Sequence, residues 1–192
     1  MSLVHPNVIL ALGVCSVFLC FEFVERIPVF VARKGTHLLS GLLLLQIEYT
    51  AWIRLFCVCF AVFVVHQTWF PQRPWRFARP GDLGITFYGS IVAVWALFAL
   101  PMKVLAPLFF ADPLGAIVGK SIESPRWYLN KTVAGSAAVF VAALVTTYFL
   151  PSIGLRIALS VTVVIAEALG GSCDNMAVAC PLLTFYLLFG ST

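Results

Sequence analysis

The stretch Phe109-Phe110-Ala111-Asp112-Pro113-Leu114-Gly115-Ala116-Ile117-Val118-Gly119-Lys120 decides how the rest of the sequence is interpreted. It begins as an apolar segment of membrane type, yet it carries a carboxylate in its middle. A charged side chain near the centre of a bilayer helix costs roughly 2.5–3.5 kcal/mol, so Asp112 is a candidate functional residue. A side chain that accepts hydrogen bonds, followed by proline, is also typical of a helix start. This predicts a helix with Asp112 at the N-cap and Pro113 at its first position.

A helix that begins there places Asp112, Ala116 and Lys120 on one face. Gly115 and Gly119 lie beside that face and allow either another backbone or a ligand to come close. A carboxylate, a smooth glycine surface and a lysine at the rim suit a metal–phosphate ligand. The alternative is a capping aspartate in a broken helix of a membrane bundle, and both interpretations fit this stretch.

The composition is that of a membrane protein. Of the 192 residues, 61% are hydrophobic and only 10% are charged, which excludes an ordinary soluble domain. We predict an all-α, polytopic transmembrane helix bundle that forms a single domain over residues 1–192. The net charge of +4 comes from basic residues scattered at segment ends, so it does not indicate a nucleic-acid partner. No Lys or Arg precedes Arg26, and no small-residue cleavage site follows the first apolar segment, which we therefore interpret as a retained helix.

Apolar stretches predict seven or eight membrane spans, several of them short for a bilayer. They are Leu3–Phe21, Val31–Ile47, Ala51–Phe70, Leu83–Leu100, Val104–Val118, Val133–Leu150, Ile153–Leu169 and Met176–Phe189. If all eight cross, nine of the twelve Lys and Arg residues fall in the odd-numbered connections and three in the even-numbered ones. The positive-inside rule then puts the odd-numbered connections in the cytoplasm and the N-terminus on the opposite side.

The second predicted span opens with a basic cluster of Arg33, Lys34 and His37. Two cations and an imidazole at a membrane-embedded helix start are suited to hold phosphates. The alternative is that Arg33 and Lys34 extend to lipid headgroups while His37 is a packed polar residue.

The sixth predicted span opens with Lys131, Thr132, Gly135 and Ser136. Thr132 is a suitable N-cap, and the unpaired N–H groups of the following turn favour an anion. Lys131 adds a positive charge at the same helix start. The sequence is not a P-loop, which needs G-x-x-x-x-G-K-[ST].

The seventh predicted span contains a second membrane carboxylate, Glu167, and ends at a glycine pair. Ser172 or Asp174 is suited to cap the next helix, and Asp174 and Asn175 are hard oxygen donors of the kind that Mg²⁺ accepts beside substrate phosphates. For Glu167 the structural alternative is a pair with a buried lysine or arginine, and for Asp174-Asn175 it is an ordinary capping turn.

Taken together, these motifs resemble the membrane-embedded polyprenol kinase family, which includes phytol kinase, dolichol kinase and CTP-dependent diacylglycerol kinase. The matching pieces appear in the expected order between about residues 33 and 181. They are Arg33-Lys34-x-x-His37, Gly84-x-x-x-Tyr88, Ala111-Asp112-Pro113-x-x-Ala116-x-x-Gly119-Lys120, Lys131-Thr132-x-x-Gly135-Ser136, and Glu167-Ala168 followed by Asp174-Asn175. Two departures are mild: the family often has Lys-Ser where this chain has Lys131-Thr132, and leucine in place of Met176.

The resemblance implies transfer of the terminal phosphate of a nucleotide, typically CTP and alternatively ATP, to the hydroxyl of a membrane lipid alcohol such as phytol, a polyprenol or diacylglycerol. Phosphoryl transfer depends mainly on positioning and charge neutralisation. The expected phosphate-binding and nucleotide-binding residues are Arg33, Lys34, Lys120, Lys131, Thr132, Gly135 and Ser136. The expected Mg²⁺ ligands are Asp112, Glu167, Asp174 and Asn175. Asp112 or His37 would take the proton of the lipid hydroxyl, and Lys120 completes the expected catalytic group.

Other functions remain open from the sequence. The Lys-Thr-x-x-Gly piece is also similar to CDP-diacylglycerol synthase, a membrane cytidylyltransferase, although the His-Gly-Gly and Asp-Arg signature of that family is absent. Carboxylates in a broken membrane helix are also typical of small transporters, and a non-catalytic membrane scaffold is a further alternative. The sequence leaves the acceptor lipid, the nucleotide and the oligomeric state undetermined.

Overall fold

The computed structural model of the protein describes residues 5–70 and 72–190. The regular secondary structure of these residues is helical apart from one small hairpin, as the apolar pattern predicts. The helices are α1 Pro6–Phe23, α2 Val29–Gln46, α3 Ala51–Trp69, α4 Leu83–Leu97, α5 Ala106–Ser121, α6 Val133–Thr146, α7 Ile153–Gly170 and α8 Asp174–Phe189. A 3₁₀ turn, Met102–Leu105, precedes α5, and another, Gly171–Cys173, joins α7 to α8.

Four helical stretches are long and apolar enough to cross a membrane. They are Pro6–Phe23, Ala51–Trp69, Met102–Ser121 and the run Ile153–Phe189, which includes α7 and α8. Two shorter apolar helices are α4 and α6. This pattern is consistent with an integral membrane protein.

The predicted spans agree with these helices to within a few residues at most ends. The largest difference is at the end of the sixth span, which was predicted to reach Leu150, whereas α6 ends at Thr146. The first two residues of the predicted first span, Leu3 and Val4, lie outside the described residues.

The chain divides into two compact units between Met102 and Lys103. The first unit contains α1 to α4 and the second contains α5 to α8. The single domain over residues 1–192 remains a prediction.

In the first unit, α1 packs on α2 and α3 packs on α4. The start of α1 is fixed by polar groups, because His5 Nδ1 accepts a hydrogen bond from the Asn7 N–H at 3.2 Å. Asn7 is buried and exchanges two hydrogen bonds with the backbone of Glu48, at 2.8 and 3.1 Å. The nitrogen and the oxygen of the buried Asn7 amide therefore both have a partner, and they join α1 to the α2–α3 connection.

In the second unit, each helix packs on the next and α8 returns to α5, which closes a four-helix arrangement. Its core is apolar and includes the fully buried side chains Leu108, Phe109, Val139, Leu159, Val163 and Leu182. Because consecutive helices are joined by short connections, the end of α5, the start of α6, the end of α7 and the start of α8 all lie at one end of this unit. We call it the polar end, because most of the predicted site residues of the second unit fall there.

A short antiparallel hairpin connects α5 to α6 at the polar end. Its strands are β1, Arg126–Tyr128, and β2, Lys131–Thr132, and the pairing is irregular between Arg126 and Tyr128. The sequence analysis does not predict these strands, because five residues of β-structure are too short to show alternation.

Candidate functional site

The predicted site residues are divided between the two units. Arg33, Lys34 and His37 lie on α2 of the first unit. The other nine lie in the second unit: Asp112, Lys120, Lys131, Thr132, Gly135, Ser136, Glu167, Asp174 and Asn175.

The prediction that a helix begins at Asp112 is wrong. Helix α5 begins seven residues earlier, with Leu105 at its N-cap, and Pro113 lies inside the helix. An internal proline costs about 3 kcal/mol, since it removes one backbone hydrogen bond. Burial of the preceding turns outweighs this cost: Leu108 is 1% exposed and Phe109 is 0% exposed. Each such side chain contributes roughly 1.5–3 kcal/mol when it is buried.

The predicted spacing on α5 survives this correction. Asp112 and Lys120 are still eight residues apart on a continuous helix, so they share a face about 12 Å apart along its axis. Asp112 is partly buried and Lys120 is exposed. A carboxylate therefore lies two turns deeper in the second unit than the lysine at the polar end.

Three glycines predicted to lie near a ligand, Gly115, Gly119 and Gly135, lie instead where α5 and α6 pack together. A Cβ on Gly135 would lie 2.9 Å from the Gly115 carbonyl oxygen and 3.2 Å from the Cα of Gly119. A Cβ on Gly115 would lie 2.4 Å from Val139 Cγ2. Of the two alternatives that the sequence leaves open here, close approach of another backbone is the one observed. Small residues of this kind are typical where two membrane helices approach closely.

The start of α6 does not present unpaired N–H groups to an anion, so that part of the prediction is wrong. The first three N–H groups of the helix all donate to the protein itself, at 2.9, 3.0 and 3.1 Å. The pairs are Val133 with the Pro125 carbonyl, Ala134 with Ser124 Oγ, and Gly135 with Thr132 Oγ1. Thr132 is the N-cap, as predicted. The hairpin thus supplies the hydrogen bonds that a phosphate would otherwise accept.

Lys131 and Glu167 form an ion pair between the start of α6 and the end of α7. Their side chains are 29% and 7% exposed, so the pair lies at the boundary between the apolar interior and the surface. This is the structural alternative that the sequence left open for Glu167. A further contact fixes Ser136, whose Oγ accepts a hydrogen bond from Trp127 Nε1 at 2.8 Å.

Asp174 and Asn175 lie at the start of α8, directly after the 3₁₀ turn. The glycine pair ends α7 as predicted, and Gly171 has a φ of +56°. The N-cap is Cys173, so the expectation that Ser172 or Asp174 caps α8 is wrong. Asp174 instead occupies the first turn, where its Oδ1 accepts the Asn175 N–H at 2.8 Å. Asn175 is buried at 5% exposure, so two hard oxygen donors lie at the polar end.

The second unit does not provide a complete metal site by itself. Among the described residues, no three His, Cys, Asp or Glu side chains are grouped closely enough to hold a metal ion. Mg²⁺ bound together with nucleotide phosphates needs only one or two carboxylates, and Asp112 and Asp174 are of the right chemistry. Glu167 fits less well, because it already pairs with Lys131.

In the first unit, Arg33 forms a bidentate ion pair with a residue that the sequence analysis missed. Its Nη1 and Nη2 lie 2.8 and 2.9 Å from the carboxylate oxygens of Asp82. Asp82 is 7% exposed and is also the N-cap of α4, where it accepts the N–H of Ile85 at 3.3 Å. Its place directly before the apolar run at Leu83 is an N-cap signal that could have identified it.

His37 packs against Tyr88, with ring centroids 4.3 Å apart. The Tyr88 hydroxyl lies 3.0 Å from Ser40 Oγ, so α2 and α4 are joined by polar contacts. His37 and Tyr88 are both among the residues on which the family resemblance is based. The role of His37 in proton transfer stays a prediction.

Arg76 lies in the connection between α3 and α4. Its guanidinium donates to carbonyl groups at and just beyond the end of α1. The accepting oxygens belong to Phe21, Glu22, Val24 and Ile27. Arg76 therefore satisfies carbonyl groups that a helix C-terminus leaves unpaired.

Comparisons with protein-family models, with curated proteins and with solved structures found no match to this chain. The functional argument therefore depends on its residues and geometry.

Proposed function

We propose that the second unit is a lipid-alcohol kinase, which transfers the terminal phosphate of a nucleoside triphosphate to the hydroxyl of a membrane lipid alcohol. CTP is the expected donor, by the family resemblance. One observation carries the proposal: an otherwise apolar bundle brings Lys131, Glu167, Asp174 and Asn175 to one end, with Asp112 two turns deeper on α5 than Lys120. Such a concentration of ionisable residues in a membrane bundle is costly and typical of a functional site.

In the proposed mechanism the lysines neutralise the charge of the nucleotide phosphates. Lys120 and Lys131 stand at the polar end, where a nucleotide from the aqueous side would arrive. Asp112 accepts the proton of the lipid hydroxyl as its oxygen bonds to the terminal phosphorus, and the nucleoside diphosphate leaves. Asp112, Asp174 and Asn175 are the residues that would hold Mg²⁺, which would supply neutralisation of the phosphate charge. Glu167 holds Lys131 in place.

The proposal corrects how the nucleotide is expected to be held. Since the first N–H groups of α6 are occupied, Thr132, Gly135 and Ser136 form the structural support of Lys131, and the cationic side chains make the phosphate contacts. The predicted role of Arg33, Lys34 and His37 in phosphate binding or proton transfer stays an expectation from the sequence, and the mechanism proposed for the second unit does not use these residues.

The lipid substrate explains why such an enzyme would be embedded in the bilayer. The lipid alcohol has its hydroxyl at the headgroup level, so it reaches the polar end without leaving the membrane. We propose seven or eight spans, with the N-terminus outside the cytoplasm and the α5–α6 connection facing the cytoplasmic nucleotide. The nine-to-three division of basic residues supports this orientation.

The decisive experiment follows labelled phosphate in purified protein with Mg²⁺ and a mixture of lipid alcohols. Label from [γ-³²P]CTP should enter the lipid, whereas label from [α-³²P]CTP should not. Asp112→Asn should lose at least about 99% of turnover, as expected when a positioned proton acceptor is removed. Thermal stability should be retained, because asparagine is nearly isosteric. Glu123→Gln, which changes an exposed carboxylate of the α5–α6 connection, is the control and should keep normal activity.

Two results would contradict the kinase, and a third would contradict only the assignment of its base. Transfer of the α-phosphate label would indicate a cytidylyltransferase. Solute flux in liposomes without any labelled lipid would indicate a transporter. Normal turnover of Asp112→Asn would remove the proposed base from the mechanism.

The orientation has its own test. Single cysteines at Gln72 and Glu123 of a cysteine-free variant are exposed positions in two connections that should be cytoplasmic. Both should resist a membrane-impermeant thiol reagent in intact cells and react after permeabilisation. Labelling of either one in intact cells would overturn the proposed topology.

A further inference from the structure

The hairpin between α5 and α6 carries an apolar surface at its tip. Trp127, Tyr128 and Leu129, which we call the hairpin tip, are 48%, 37% and 77% exposed. Leu129 also has a φ of +42°, a conformation that favours glycine or asparagine and is uncommon for leucine. Neither turn preference nor internal packing accounts for a leucine at this position.

Hydrogen bonds join the hairpin to the start of α6. Trp127 Nε1 donates to Ser136 Oγ at 2.8 Å, which fixes one side of the hairpin to the first turns of α6. The residues just before β1 accept the first two N–H groups of α6, through the Pro125 carbonyl and Ser124 Oγ. The hairpin is therefore tied to the start of α6, directly beside Lys131.

The length of α6 indicates where the hairpin lies. Helix α6 has 14 residues, which span about 21 Å. The hydrocarbon core of a bilayer is about 30 Å thick, so the segments that flank α6 must reach into the membrane boundary. Paired strands are suitable there, since they satisfy part of their backbone groups internally, and tryptophan and tyrosine are enriched at this depth.

The charge around the hairpin has one dominant sign. Between residues 120 and 131 there are three cations, Lys120, Arg126 and Lys131, and one anion, Glu123. Lys120 and Arg126 are exposed. A cationic rim around an apolar aromatic tip is complementary to a layer of anionic lipid headgroups above acyl chains.

We propose that the hairpin is a membrane-interface anchor: the hairpin tip lies among the lipid headgroups and upper acyl chains, and Arg126 and Lys120 bind anionic lipid phosphates. The anchor depends on the membrane location of the chain, but it does not depend on the kinase activity. Because the hairpin is joined to α6 by fixed hydrogen bonds, it sets the depth of Lys131 in the bilayer.

The test places an environment-sensitive fluorophore at the hairpin tip. Leu129→Cys in a cysteine-free full-length chain is labelled and reconstituted in nanodiscs of phosphatidylcholine and phosphatidylglycerol. Its emission should be blue-shifted, and nitroxide lipids that carry the spin label near the headgroup should remove most of the fluorescence while aqueous iodide removes little. The same label at Glu123→Cys is the control and should respond mainly to iodide. If Leu129→Cys does not fold, Tyr128→Cys replaces it.

Two outcomes at the tip would overturn the anchor. Strong iodide quenching with weak lipid quenching would show a hairpin in water. Protection from both quenchers would show that another protein surface, such as a second copy of the chain, covers the tip. The charge contribution is tested separately with Arg126→Gln: removing phosphatidylglycerol should reduce lipid quenching in the parent protein and have a smaller effect in the variant. An equal effect in both would overturn the binding of anionic lipid by Arg126.

Discussion

The ion pair between Lys131 and Glu167 permits a quantitative prediction, because its two side chains differ in exposure. The Glu167 side chain is 7% exposed and that of Lys131 is 29% exposed. Lys131→Met leaves a buried carboxylate without its cation, which should lower the free energy of unfolding by about 3–5 kcal/mol. Glu167→Gln leaves a lysine that is able to turn toward water, so we expect a smaller loss of about 1–2 kcal/mol, between the values for exposed and buried pairs.

The double variant Lys131→Met/Glu167→Gln separates this ion pair from general effects of substitution. It removes both charges together, so its loss should be smaller than the sum of the single losses by about 2 kcal/mol. The assay is denaturant unfolding in detergent, followed by circular dichroism. Lys103→Met is the matched control, because it changes a lysine outside the predicted site. Single losses that add to within about 0.5 kcal/mol would show that the contact contributes no coupling and refute the reasoning.

Two further predictions concern contacts that the structure identifies. Gly135→Ala should lower the free energy of unfolding by about 1–3 kcal/mol because its Cβ would meet the Gly115 carbonyl oxygen at 2.9 Å. Gly154→Ala, whose Cβ would have no neighbour within 4 Å, should be neutral or stabilising, and equal losses in the two variants would contradict the packing argument. Arg76→Ala should cost more than about 2 kcal/mol because it removes charge-assisted bonds to several carbonyl groups, and Arg76→Lys should restore only part of this. Arg73→Ala, which changes an exposed arginine of the same connection, is the control, and an equal loss there would show that the contacts of Arg76 with α1 contribute nothing.

Helix positions could be predicted from the sequence because long apolar runs in a chain of this composition have few other ways to satisfy their backbone groups. The N-cap role of Thr132 was predictable for a different reason: it depends on a hydrogen bond within a single helical turn. The start of α5 was not predictable, because Asp112-Pro113 is a strong local start signal. The burial of Leu108 and Phe109, which overrides that signal, depends on helices that are distant in the sequence.

The candidate site was predictable in residue type but not in the partners of each residue. The sequence identifies Lys131 and Glu167 separately, as a phosphate ligand and a metal ligand. Only the folded bundle shows that they meet. Arg33 is similar: its partner Asp82 is 49 residues away, and no local pattern connects the two.

The occupied start of α6 limits how any nucleotide can be recognised by the second unit. In a P-loop, backbone N–H groups form a fixed cradle around the phosphates. Here the residues before β1 and the N-cap Thr132 use those groups, and the hydrogen bonds that result are what hold the hairpin against α6. In the proposed mechanism, phosphate binding is therefore assigned to the side chains of Lys120 and Lys131, which act as point charges. Glu167 fixes the position of Lys131 through the ion pair. The hairpin and the ion pair are thus two supports for Lys131, one from the α5–α6 connection and one from α7.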